Sequence, residues 1–391
     1  MLFGAALAAL AVLLLAVAAN GAARKAAPVP AGFVGVDVDG PVVGPGAPVG
    51  LDSQLGTMVS SGVQTIRVAF SWSSAQPYES VSQVPAAQQS QYADVDGRPT
   101  DFQATDAIVE AAARRRVTVL PTVLYAPSWD AVSNPGGVGY PSHYGPYAQY
   151  LTALIGRYGP HGSFWTANPG IPKVPIRAWQ IWNEPNIAYY WKQPFAASYV
   201  SLLRAAHNAI KAADPGARVV LGALTNLAWQ SLGQVYKVPG ARGLFDAVSV
   251  NGFTKLPADV ILYMRLMRRA MDRFGDGRKP LIDTEISWPS AQGQTKEHYD
   301  FDTTRAGQAR NIATLLPLIG SERASLGLAA FYYYTWIGPE SQGNPDFDFA
   351  GLESYHDGEV TAKPALSAFR TAALALEGCK RKGLLATACV K

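Results

Sequence analysis

The chain has 391 residues, 48% of them hydrophobic and 16% charged, which is ample material for a sizeable core. Its formal net charge of +4 is spread among interspersed acids and bases; no basic stripe or basic amphipathic helix stands out, which argues against a nucleic-acid partner. Five scattered histidines and two cysteines match none of the common zinc spacings, and neither a metal nor an organic cofactor is expected.

The N-terminal stretch "LFGAALAALAVLLLAVAA" (2–19) is unbroken Ala, Leu and Val apart from one Phe and one Gly. It reads as the apolar core of a secretory signal, with Ala16-Val17-Ala18 as a cleavage site, so the protein is expected outside the cytoplasm. No Lys or Arg precedes the run, whereas Arg24 and Lys25 follow it. A retained N-terminal membrane anchor is therefore the second expectation. Residues 1–31 are assigned to this segment and a short linker, 32–377 to one globular domain and 378–391 to a tail. A Cys379–Cys389 disulfide closing a small loop is expected in that tail.

From residue 32 onward, short β-branched runs alternate with amphipathic stretches. The runs "GFVGVDV" (32–38), "VQTIRVAF" (63–70), "VTVLPTVLY" (117–125) and "IRAWQIW" (176–182) have the length and residue types of strands. So do "RVVLGAL" (218–224), "DAVSVNGF" (246–253), "PLIDTEI" (280–286) and "LAAFYYYTW" (328–336). Helical spacing of apolar residues predicts helices near 51–61, 102–115, 147–158, 195–213, 258–274, 302–319 and 364–376, with a poorer one at 227–237. Eight strands alternating with eight helices is the count of a closed parallel (β/α)8 TIM barrel. An open doubly wound sheet is the alternative, but "GPVVGPGAPVG" after the first strand is too rich in proline for a dinucleotide loop.

In such a barrel the C-terminal strand ends share one rim and build the site. The second strand holds Arg67 and is followed by Trp72. Trp129 follows the third strand. The fourth ends in "WNEPN", bringing Asn183 and Glu184, with Trp191 beyond. Asn251 ends the sixth strand, Glu285 and Trp288 the seventh, and Trp336 the eighth. Two glutamates among aromatic rings and amides suit a sugar, whose C–H faces stack on rings and whose hydroxyls bond amides. The fourth and seventh strands lie nearly opposite across the mouth, so Glu184 and Glu285 can flank one glycosidic bond. Arg67 beside Glu285 is expected to lower its pKa and keep it ionised. Apolar surroundings are expected to raise that of Glu184 and keep it protonated. This pattern assigns Glu184 as acid/base and Glu285 as nucleophile.

"WQIWNEPN" on a fourth strand and "LIDTEISWP" on a seventh resemble the clan A glycoside hydrolases, most of all family 39 (β-xylosidases and related endo-acting enzymes) and next the family 5 cellulases. The resemblance spans roughly 32–377. It implies an eight-fold barrel and a retaining mechanism on an O-glycosidic bond, with Glu184 as acid/base, Glu285 as nucleophile and Asn183 on the sugar's 2-hydroxyl. It also matches Arg67 to the clan's second-strand arginine and Trp336 to its eighth-strand tryptophan. One departure is visible: members often carry a His and a Tyr at the end of the sixth strand, where "SVNGFT" has Asn251 and Phe253. The nucleophile then lacks one donor unless Tyr332 or Tyr334 supplies it.

Several residues admit plainer readings. Trp72, Trp129 and Trp191 are either cleft platforms or loop packing, and Trp182 and Tyr333 read as core. Asp283 lies on the same side of its strand as Glu285, one layer deeper, as a hydrogen-bonded interior residue. His143, Asp346 and Asp348 border the rim without a spacing that assigns them a role. A carbohydrate-binding barrel without turnover, or a transglycosylase, is the alternative to a hydrolase.

Overall fold

The computed structural model describes residues 29–390 apart from 45, 296–298, 341–344, 379, 382 and 388. The apolar run at 2–19 and the Cys379–Cys389 pairing fall outside these residues. Among the described residues, no helix is long and apolar enough to cross a membrane.

Eight parallel strands form one sheet: β1 (Val34–Val38), β2 (Thr65–Ser71), β3 (Thr118–Leu124), β4 (Ala178–Asn183), β5 (Arg218–Ala223), β6 (Val248–Asn251), β7 (Leu281–Ile286) and β8 (Leu328–Tyr333). Their order, β6-β7-β8-β1-β2-β3-β4-β5, is that of a barrel opened at one seam. Two parallel bridges, Val220–Ala247 and Leu224–Val250, join β5 to β6 across it. Backbone bonds such as Leu221 N–H to Ala247 C=O (3.0 Å) and Asn251 N–H to Leu224 C=O (2.9 Å) close the circle. The strands are buried on both faces, which is why they read as nearly continuous apolar runs.

Eight helices alternate with them: α1 (Leu51–Ser60), α2 (Gln103–Arg114), α3 (Tyr144–Tyr158), α4 (Ala196–Ala213), α5 (Ala228–Lys237), α6 (Pro257–Arg273), α7 (Arg305–Leu326) and α8 (Pro364–Glu377). The larger apolar cluster joins strand residues such as Val36 and Ile181 to helix residues such as Leu151, Leu203, Met264 and Phe369. The smaller one, including Leu120, Val220, Ile282 and Tyr332, fills the barrel floor. Tyr332 lies so close to β1 that a Cβ on Gly35 would stand 2.5 Å from its ring, so only glycine fits there.

Two features differ from the sequence expectation. α7 begins at an N-cap, with the Thr304 hydroxyl accepting from Gly307 N–H, and runs through Pro317 to Gly327, which ends it at φ +59°. The predicted end near 319 rested on apolar spacing through Ile319, which stops short of that glycine. β6 and β8 are also shorter than their apolar runs, because Phe253 and Tyr334 already belong to rim loops.

Candidate active site

At the rim the backbone leaves regular geometry. Trp182 and Glu184 have φ of +69° and +41°, and Tyr125 at the end of β3 has +65°. Left-handed conformations of non-glycine residues cost about 1–3 kcal/mol each and persist only where the surroundings hold them. Their effect here is to defeat strand alternation, since Asn183 and Glu184, neighbours in sequence, both reach the same amide. Asn251 Nδ2 donates to Glu184 Oε1 at 2.8 Å and to Asn183 Oδ1 at 3.4 Å. A register shift between β6 and β7 sets Asn251 opposite Glu285, and the Asn251 amide favours the ionised form of that glutamate. Asn251 thus links the two acids, bonding Glu184 directly and standing opposite Glu285, whose charge Glu184 feels.

Arg67 organises the other half of the site. Its Nη1 donates to Asp37 Oδ1 (2.6 Å) and Glu285 Oε1 (2.7 Å), its Nη2 to Asn183 Oδ1 (2.9 Å) and its Nε to Gln180 Oε1 (2.6 Å). Beneath it, Thr122 donates to Gln180, whose Nε2 donates to Ser249, whose hydroxyl donates to the Leu221 carbonyl. This chain crosses the barrel interior and fixes the guanidinium from below. Thr284, its neighbour Glu285 facing the site, donates to Asn251 Oδ1 at 2.8 Å. The Asn251 amide is thus held at both ends, by Thr284 at its oxygen and by Glu184 at its nitrogen.

The two carboxyls differ in surroundings. Burial, reinforced by the charge of Glu285, pushes Glu184 up to about 8. The expectation that Arg67 would bring Glu285 below its usual range does not hold. Burial raises this carboxyl too and outweighs the pull of Arg67, which is shared with Asp37. Burial alone would lower Arg67, but the charges of Asp37 and Glu285 raise it, so it stays cationic. Since Arg67 touches Glu285 directly and, among the described residues, no cation bonds Glu184, a single negative charge on the pair rests on Glu285 and the proton on Glu184.

A cavity of about 150 Å³ opens on this network, lined by Asp37, Asp39, Arg67, Tyr125, Asn183, Tyr190, Glu285 and Tyr334 among others. Of the expected residues, Arg67, Asn183 and Glu285 line this cavity, while Glu184 and Asn251 join the hydrogen-bond network beside it. The tryptophans do not line it. Trp72 is fully buried, bonds Gln76 and packs against Trp129, Tyr147 and Tyr150. Trp191 is buried and stacks on Tyr140. Trp288 is buried and donates to the Thr254 and Lys255 carbonyls. Trp336 is buried against α1, where it bonds Gln54, and Tyr334 two residues earlier takes the place on the cavity wall. Trp129 is half-buried, with its indole N–H on the Gln76 carbonyl.

The remaining candidates sit apart. Tyr332 bonds Thr65 on the floor, so it is no donor to Glu285, whereas Tyr334 bonds Asp39. Asp283 is wholly buried, and its two side-chain oxygens find no side-chain partner. His143 is exposed beside Asp130, and Asp346 ties Thr295 and the Tyr299 N–H. Gln180, Thr284 and the pair Asp37/Asp39 escaped the sequence reading. The even spacing of Asp37 and Asp39 in "GVDVDG" was the one available signal.

The fold has many counterparts among solved structures. A family 39 glycoside hydrolase from Xanthomonas axonopodis pv. citri superposes with a TM-score of 0.61 at 19% identity, over 88% of this chain and 66% of that one. A monomeric β-xylosidase from Caulobacter crescentus CB15 gives 0.60 at 21% identity, over 89% and 69%. The family 53 catalytic domain from Ignisphaera aggregans gives 0.56 at 19%, over 88% and 98%. At 19–21% identity these likenesses show the fold, a (β/α)8 barrel. The chain spans about two thirds of the length of the Xanthomonas enzyme. No family model matches the sequence, and no curated protein does.

Proposed function

We propose that the protein is a retaining glycoside hydrolase acting on O-glycosidic, β-linked bonds of an oligo- or polysaccharide. The observation that carries this reading is the pair of glutamates that Asn251 links, bonded to Glu184 and opposite Glu285 in register, in unequal surroundings: Glu285 is bonded to Arg67 and Glu184 holds a proton near neutral pH. In the first step the Glu285 carboxylate attacks the anomeric carbon while Glu184 gives its proton to the departing glycosidic oxygen. In the second, Glu184 takes a proton from water, the water oxygen bonds the anomeric carbon, and Glu285 leaves as carboxylate. Asn183, with its Oδ1 anchored by Arg67 and Asn251, presents its NH2 to the sugar's 2-hydroxyl, as the clan A resemblance implies. The apolar run at 2–19 supports action outside the cytoplasm, by export or on a membrane anchor.

The test is turnover of a panel of aryl β-glycosides and polysaccharides with product analysis. Glu285→Ala should lose about 10³-fold or more in kcat, with partial rescue by azide and an inverted glycosyl azide as product. Undiminished turnover by that variant removes Glu285 as nucleophile. Saturable sugar binding without turnover by the wild type identifies a binding barrel, and sugar rather than water as acceptor a transglycosylase.

A further inference from the structure

We propose that Asp39, with Asp37 behind it at the end of β1, forms a hydroxyl-binding wall that restricts the cavity to sugars without an acidic substituent, so that neutral glycosides enter and uronates are rejected. This rests on the glycosidase reading of the same site. Asp39 continues the extended backbone of β1 (φ −147°, ψ −164°), so the two carboxyls, two residues apart, point to the same side. Both line the cavity. Asp37 is 4% exposed and one of its oxygens accepts from Arg67; the other, Oδ2, is buried with no hydrogen-bond partner among the described residues, so Asp37 serves the site by holding Arg67. Asp39 is the half-buried member, whose carboxyl a ligand hydroxyl can reach, and a buried polar group left unbonded costs about 1–3 kcal/mol. Asp39 stands nearer the mouth, its Oδ1 accepting from Thr335 Oγ1 at 2.6 Å and its carboxyl also bonded by Tyr334.

The charge inventory favours a neutral ligand. Three acids, Asp37, Asp39 and Glu285, and one cation, Arg67, line the cavity. Arg67 already commits donors to Asp37, Glu285, Asn183 and Gln180, four of the five that a guanidinium owns. A sugar carboxylate would find at most one N–H and would face the Glu285 charge. Sugar hydroxyls both donate and accept, and a carboxyl serves them whether or not it carries a proton.

The experiment compares 4-nitrophenyl β-glucoside and β-xyloside with the β-glucuronide, which differs from the glucoside by one carboxylate, and follows binding of the same three by saturation-transfer NMR. The expected result is a glucuronide kcat/KM at least about 100-fold below that of the glucoside, with weaker binding in parallel. Asp39→Asn, which keeps an acceptor for Thr335, should raise KM on the best neutral substrate about tenfold with kcat changed much less. On one monodeoxy analogue of that sugar the same substitution should matter less than about threefold, because the hydroxyl it serves is gone. Asp37→Asn is the second variant, with Tm measured to separate misfolding from lost binding. Glucuronide bound or turned over as well as the glucoside overturns the proposal, as do equal losses on every deoxy analogue or failure of neutral glycosides to bind. Neutral binding that depends on Asp39 without any turnover sustains the wall and instead sinks the hydrolase reading.

Discussion

Glu184 is half-buried where desolvation disfavours its charged form, and the consequence for folding has a definite sign. Its carboxyl is raised from 4.5 to about 8, so below pH 4.5 the folded and unfolded chains are both protonated and burial carries no ionic penalty. Between pH 4.5 and about 8 the unfolded chain releases the proton and the folded chain keeps it, so stability falls as pH rises. Glu184→Gln removes that penalty. It should leave Tm unchanged at pH 4 and raise it by at least about 3 °C at pH 7.5. A Tm gain of equal size at both pH values would show that packing, not ionisation, is responsible. The same proton should set the basic limb of kcat/KM near pH 8, and the limb should vanish in Glu184→Gln with an activated aryl glycoside. Thr284 acts indirectly, by holding the Asn251 carbonyl oxygen so that the NH2 faces Glu184. Thr284→Val should lower kcat about tenfold and flatten the pH profile, with a Tm loss matching about 1–3 kcal/mol for the unpaired Asn251 oxygen. A Tm loss with an unaltered profile would make Thr284 purely structural.

At the scale of elements, the sequence was most legible where a signal is local. Asn183, Glu184 and Glu285 stand where an apolar run breaks, a pattern that needs no knowledge of neighbours. The tryptophans were not legible in this way. A ring just past a strand end has the same sequence signature whether its loop turns it to the cavity or, as with Trp72, Trp288 and Trp336, folds it under the rim. Gln180 and Asp37 were hidden for another reason: their partners, Ser249 and Arg67, come from other strands, so no linear spacing marks the bond. Helix α7 shows a third kind of misreading. Pro317 is exposed in its interior, removing one backbone donor, yet packing and the Gly327 cap carry the helix onward. Pro317→Ala restores the Ala313 carbonyl's partner and should stabilise the protein by about 1–3 kcal/mol with unchanged activity. A fall in Tm would mean that the proline's bend is needed where Gly320 meets Leu376 of α8.

At the scale of the whole molecule, the circle of strands is uneven. β2 and β3 are paired over seven consecutive residues, whereas β5 and β6 meet only through isolated bridges. That seam neighbours the chemistry, since Asn251, which bonds Glu184, ends β6, and Thr225, which bonds Asn186 of the same rim loop, follows β5. A ladder with fewer consecutive bonds opens at lower free energy than its neighbours, because each opening breaks fewer bonds and exposes less buried surface. The Leu221, Leu224 and Asn251 amides bond across this seam, the Leu224 bond at a long 3.3 Å. Native-state hydrogen exchange should show these amides exchanging through partial opening, faster than those of β2 and β3, which wait for global unfolding. A neutral glycoside bound at Asn183 and Glu184 should slow the seam amides and leave β2 and β3 unchanged. Equal protection all round the barrel would show instead that the bridges suffice to make the eight strands one cooperative unit.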